Sequence, residues 1–367
     1  MIAGFAVHYA LPARLKKEAF VAASVAAGLA AVRPGFVAAL TAFAFCVHLA
    51  TGLKRPAARG AALLALAAGA ILIRSRLEPG YPIPDDFWDF FGAIFMFRGF
   101  LYWHDHASES RSAADALAYF LMAPAFVFLV FPIVDYRTFR RTYMAKPQNE
   151  SARDGVDSIL RGALQLIAFR LILARLYVPP SQVKNIADFF LFSACAFCSL
   201  IKVTGGYHVA VGILQLFGFG LPRPSNHYFL STNFLDYWNR SNIYWKNFML
   251  KIVYLPSFFR WQRFGREQAA LLAGGLTFFV TWFLHGALRF WFSGQLQLTP
   301  VRSIFWAVIG AGAVFSLLGA HEENSDARFD RWRFVKIPLT FIALSVLWGF
   351  GSMPTIHDWL AMVARTL

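Results

Sequence analysis

Charge is scarce in this sequence. Only 15% of its 367 residues are Asp, Glu, Lys or Arg, where a soluble domain carries about 25%. With 58% of its residues hydrophobic, the chain cannot present an ordinary polar surface to water. A soluble globular domain is excluded, and the apolar excess requires a bilayer as its solvent. Acidic residues are the scarcer sign: 20 Asp and Glu stand against 35 Lys and Arg, for a net charge of +15. The basic residues lie in short gaps between apolar runs, not in a stripe interleaved with stacking aromatics. That pattern excludes nucleic acid as a partner and fits loops facing anionic lipid.

Cysteine is nearly missing. Cys195 and Cys198 have the spacing of a metal or redox pair. They sit in an apolar run with no second pair, so they read as small buried hydrophobes. Strand-type alternation is absent, and backbone polar groups in lipid must be satisfied within a helix. No Walker loop, dinucleotide fingerprint or Gly-x-Ser-x-Gly elbow occurs. The first residues lack a basic stretch and a small-residue cleavage site, so no cleaved signal peptide is expected.

Apolar segments recur along the whole length, at about 19–32, 35–53, 60–73, 87–103, 114–135, 157–177, 187–203, 207–221, 269–290, 303–320 and 336–352. The expected fold is all-α: a polytopic integral membrane protein with roughly ten transmembrane helices and short re-entrant or interfacial helices. With no internal repeat or linker, residues 1–367 read as one embedded domain. Arg14, Lys16 and Lys17, then Lys54, Arg55 and Arg59, then Arg137 through Arg153, mark loops expected on the cytoplasmic side. Residues 223–266 break the pattern: too polar to cross, too aromatic for a free loop. They predict short helices at the interface, lining a cavity.

His285 lies in the apolar run GGLTFFVTWFLHGALRFWF. An ionisable group at membrane depth is costly and marks a site or a pathway. Apolar surroundings favour the neutral imidazole, which can take a proton from a hydroxyl. The bland alternative is a histidine satisfied by a nearby carbonyl. Asn242, in DYWNRSNIYWKNF, offers an amide that can polarise a carbonyl or orient an acceptor. His104-Asp105-His106 cannot place two ligands on one helix face and reads as a solvated turn, not a metal site.

Three stretches resemble the membrane-bound O-acyltransferase family, in the bacterial branch that holds alginate O-acetyltransferase and the D-alanyl transfer protein of teichoic acid synthesis. Phe131 to Phe139 is similar to the family's G-P-I-x-R-Y-x-x-F, with Phe131 for the Gly and Asp135 for the Arg. Gly212 to Pro222 matches G-I-x-x-L-F-G-F-x-L-P and continues through Asn226 and Phe229 to Ser231. Upstream, Gly206 to Gly212 is similar to Y-S-D-M-A-I-G, with His208 in place of Asp. Asp236 to Ile243, followed by Val253 to Pro256, is similar to D-F-W-x-R-W-H-I and V-Y-I-P at the same spacing. The family's first active-site His falls on Asn242, and its second, in L-W-H-G, on His285.

The motif-bearing core is about 130–290. The resemblance implies an inner (cytoplasmic) membrane, multi-pass enzyme with no bound cofactor. It would move an acyl group, acetyl among the candidates, from acyl-CoA or an acyl carrier protein to a hydroxyl of a polysaccharide, lipid or secondary metabolite. It implies His285 as base, with Asn242 beside it. Tyr237, Trp238, Arg240, Trp245, Asn226 and His208 are the expected substrate-binding residues. The competing readings are a transporter or flippase, and a catalytically degenerate scaffold.

Overall fold

Proline marks where several helices begin. Pro34, Pro56 and Pro300 each open one, because a fixed φ suits the first turn and the missing N–H is one the helix would leave unpaired. The computed structural model describes residues 2–31, 34–76, 88, 91–92, 94–105, 112–122, 133–320 and 332–366. Among these the chain is helical throughout, and its one bridge of strand type joins Tyr143 to Phe219. Among the described residues, six helices are long and apolar enough to cross a membrane: Pro34–Thr51, Pro56–Ser75, Ile186–Leu216, Arg266–Ser293, Pro300–Leu317 and Arg333–Gly351. The expected segments 87–103 and 114–135 lie partly outside the described residues, as do His106, Phe131, Pro132 and most of the loop 321–336.

Two expectations change. The segments 187–203 and 207–221 are one helix, Ile186–Leu216. Gly205 and Gly206 do not break it, since a helix in lipid keeps its internal hydrogen bonds where water would compete for them. The basic residues Arg14, Lys16 and Lys17 lie in the first turn of the helix Ala13–Ala31, not in a loop. Lys16 is buried, and its ammonium donates to the carbonyls of His8 and Tyr9 at 2.9 and 3.0 Å, and to Gln148 Oε1. It thus caps the C-terminus of the helix Ile2–Ala10, where carbonyls have no partner within the helix.

The chain forms two compact units. The first comprises Met1–Arg161, Gly206–Pro222 and Ala287–Leu296; the second comprises Gly162–Gly205, Arg223–Gly286 and Gln297–Leu367. In the first, the helices Gln148–Leu176 and Ile186–Leu216 meet backbone to backbone. A Cβ on Gly212 would lie 2.6 Å from the Gly155 carbonyl oxygen, and one on Gly155 would lie 2.8 Å from that of Gly212. Small residues allow this approach, and packing at such seams drives helix association in lipid. Next to it Gln215 accepts from Ser158 Oγ at 2.7 Å and donates to the Leu221 carbonyl at 3.0 Å. Gly218 then turns the chain at φ +90°, and its carbonyl accepts from Met144 N–H at 2.7 Å. The stretch from Gly212 to Pro222 therefore has a full architectural account.

His8 is fully buried in the first unit, packs on Phe217, and has no hydrogen-bond partner for either ring nitrogen among the described residues. Burial, and then the Lys16 ammonium, push its pKa down from 6.5 to about 4. The unfolded chain binds this proton first as pH falls below about 6.5, so native stability declines between pH 6.5 and about 4 and is complete above that window. Thermal melts of wild type and His8→Leu at pH 7 and pH 5 test this. The variant should lose less stability on acidification. The difference should reach a few kcal/mol at most, since each tenfold weakening of proton affinity is worth about 1.4 kcal/mol. Equal acid sensitivity of the two proteins refutes it.

Candidate functional site

The stretch that is too polar to cross folds as a series of short capped helices in the second unit. Asn233 caps Phe234–Ser241 by accepting from Asp236 N–H at 2.8 Å. Asp236 accepts in turn from Thr232 N–H at 3.0 Å and pairs with Arg240 one turn on. Asn242 ends this helix and begins the next, Ile243–Met249, with its side-chain oxygen accepting from Trp245 N–H at 3.1 Å. The preceding strap is tied to the same point. Asn226 N–H donates to the Arg240 carbonyl and Ile243 N–H to that of Pro224, both at 2.9 Å.

This capping delivers Trp245 to His285. Their ring centroids lie 4.6 Å apart, and Trp306, from the helix Pro300–Ala320, lies 4.5 Å from the same imidazole. His285 is half-buried, and its Nδ1 is 2.8 Å from the Thr281 carbonyl. A carbonyl can only accept, so Nδ1 carries the proton, as in the alternative of a histidine satisfied by a nearby carbonyl, and in the neutral ring Nε2 is the acceptor nitrogen. The next residue has to be glycine. A Cβ at Gly286 would lie 2.3 Å from Leu298 Cδ2 and 3.2 Å from the Gln297 carbonyl oxygen, so the chain at 297–298 runs directly over this turn.

Gly286→Val should displace that strap and cost about 1–3 kcal/mol through overpacking. A thermal midpoint equal to wild type would show that the strap has room to move.

The other expected residues divide clearly. Tyr237 is buried in an aromatic cluster with Phe197 and Tyr228. Trp238 packs on Phe278 at 4.7 Å, within the cluster of Phe305, Ile309 and Leu347. Arg240 and Asn226 brace the segment, as described above. Trp306, which packs on His285, lies against the same cluster as Trp238. His208 is buried and belongs to the first unit, whereas Asn242, Trp245 and His285 all belong to the second. Cys195 and Cys198 are free, and no His, Cys, Asp and Glu group among the described residues could hold a metal ion. The solvated turn expected at 104–106 is corrected at Asp105. That carboxylate is buried at the end of the helix Phe100–Asp105, 2.9 Å from His104 Nδ1 and accepting from Arg137 N–H at 3.2 Å.

Sequence reasoning missed Thr281 and Trp306. Thr281 was legible in principle: it precedes His285 by four residues, the spacing that brings two residues to one helix face. Trp306 lies on another helix, and nothing in the pattern couples it to residue 285.

Among the described residues, six helices long and apolar enough to span a bilayer, one of them carrying a histidine packed against two indoles, define the class: a helical membrane protein. No protein-family model and no curated protein matches the chain.

Proposed function

We propose that this chain is a membrane-bound O-acyltransferase that moves an acyl group from a thioester to a hydroxyl. The observation that carries this reading is the imidazole of His285, its tautomer set by the Thr281 carbonyl and the rings of Trp245 and Trp306 packed against it. The motif resemblance around residues 130–290 supports it, with Asn242 and His285 on the two active-site positions.

In this reading Nε2 accepts the proton of the acceptor hydroxyl as its oxygen attacks the thioester carbonyl. The new C–O bond forms, the C–S bond breaks, and the proton passes from the imidazolium to the departing thiolate. The products are an ester and a free thiol, and no redox partner is needed. A positioned base of this kind contributes about 10²–10⁴-fold. The two indoles packed against the imidazole restrict water's approach to it and so limit thioester hydrolysis. Acyl-CoA or an acyl carrier protein supplies the thioester. The enzyme belongs in the inner membrane, with roughly ten helices in an arrangement like that of the family.

Asn242 acts here through position. Its oxygen is committed to Trp245 N–H, so its first duty is to aim Trp245. Asn242→Ala should cost about 1 kcal/mol of stability, as the loss of a helix cap does, and lower turnover. Asn242→Ser restores a capping oxygen and should recover most of that turnover. If the Ser variant has the full Ala defect in kcat at unchanged stability, Asn242 acts on substrate directly instead. The reading as a whole is tested by free-thiol release from acyl-CoA by purified protein in vesicles. Release should require an alcohol acceptor, and its absence with every thioester offered would remove the proposal.

A further inference from the structure

The helices Arg266–Ser293 and Pro300–Ala320 leave a groove of about 510 Å³ between them, all within the second unit. Gly275, Gly310, Ala311, Phe279, Trp282 and Trp306 are among its lining residues. Its volume lies in the range of ligand pockets, about 300–1,000 Å³. Its length, from Ser303 to Val314, is eleven residues of helix, or about 16 Å. That is half the hydrocarbon thickness of a bilayer, about 30 Å, and so the depth of one leaflet.

The groove opens sideways among apolar side chains. Phe279 and Phe315 are 60% and 76% exposed beside it, on helices able to cross a membrane. Its polar end is specific. Ser303 accepts from Trp282 Nε1 at 3.1 Å and donates to the Thr299 carbonyl at 3.0 Å. At this end Trp306 both lines the groove and packs on His285 at 4.5 Å.

We propose that the groove seats the hydrocarbon tail of the hydroxyl acceptor, so that the acceptor is a membrane lipid and not a soluble sugar or an exported polysaccharide. The assignment rests on the acyl-transfer reading of His285. A groove lined almost wholly by apolar side chains, between two helices long and apolar enough to cross a membrane, suits loading from the bilayer, where a lipid alcohol already resides. The thioester arrives from water, carried on a polar nucleotide or a protein. With the tail along Gly275 and Gly310, the head group falls at the Ser303 end, where its hydroxyl meets His285.

The test uses full-length protein in phosphatidylcholine vesicles and a monoacylglycerol whose chain carries a diazirine. After irradiation, labelled peptides should come from 275–282 and 303–314. Labelling there should fall about tenfold, the equivalent of ~1.4 kcal/mol of binding, in the double variant Ala307→Trp, Ala311→Phe. Both alanines are exposed, so the added rings fill the groove without entering the core. Val308→Trp, on the same helix but outside the lining, should label as wild type does. Labelling spread evenly over all the apolar helices, or unchanged by the double variant, overturns the proposal.

Turnover separates this outcome from failure of the acyl-transfer reading. Groove labelling that obeys these expectations, with no thioester consumed, leaves the lipid site standing and removes the enzyme. Thioester consumed equally well with glycerol and with monoacylglycerol, and insensitive to the double variant, does the reverse.

Discussion

His285→Ala should yield a protein that extracts, purifies and melts like wild type while thioester-dependent acyl transfer falls by about 10²–10⁴-fold. The stability part follows from the surroundings. The ring is half-buried, and its Nδ1 bonds a main-chain carbonyl that already serves the helix. Losing it removes contacts with two indoles but strands no charge. The activity part follows from the lone pair on Nε2, which no neighbouring residue on the same turn replaces: Leu284 and Gly286 flank it. His285→Gln keeps a hydrogen-bonding side chain of similar reach but no base of useful strength, so it should be as inactive as Ala. If the Gln variant retains wild-type kcat, His285 serves only to bind or to pack, and proton transfer must be assigned elsewhere.

Gly212→Leu should have the opposite profile and remove the folded protein itself. A side chain there would enter the Gly155 main chain, whose carbonyl oxygen lies 2.6 Å from the first added carbon and whose helix offers Ile159 N at 2.9 Å. Neither atom belongs to a flexible tip, so two helices must separate to admit it. Overpacking of this kind costs about 3 kcal/mol or more when the backbone has to move, enough to unfold a marginal domain. The yield of monodisperse protein in detergent, and its thermal midpoint, should both collapse. Gly206→Ala, six residues earlier on the same helix, is the control. A Cβ there meets nothing within 4 Å, so the variant should be neutral or slightly stabilising, as alanine is the better helix former. Tolerance of Leu at 212 would mean that the two helices do not meet as described.

The pair of predictions separates two roles that look alike as motif residues. Gly212 and His285 both belong to the stretches that resemble the acyltransferase family, yet one holds a helix seam and the other presents a lone pair. Gln215 and Gly218 share the seam's role, through the Ser158 and Leu221 hydrogen bonds and the turn at φ +90°. Tyr237 and Trp238, expected among the substrate-binding residues, lie in packed aromatic and aliphatic clusters. An aromatic residue in a polar segment announces burial against something; it does not say against what.

Composition alone determined the solvent of this protein, since 58% apolar and 15% charged residues can be reconciled with no other environment than lipid. It also determined that the chain is helical, because only local hydrogen bonding satisfies a backbone there. Single residues carried the next level: one histidine in an apolar run singled out position 285 as a candidate. The tertiary structure decided what surrounds it. Trp245 and Trp306 are 40 and 21 positions away along the chain, and the side groove exists only because two helices bring glycine and alanine to the same height. Periodicity encodes which face of a helix is apolar. It does not encode which other helix that face will meet, because in lipid every apolar face is already satisfied, and shape alone selects the partner.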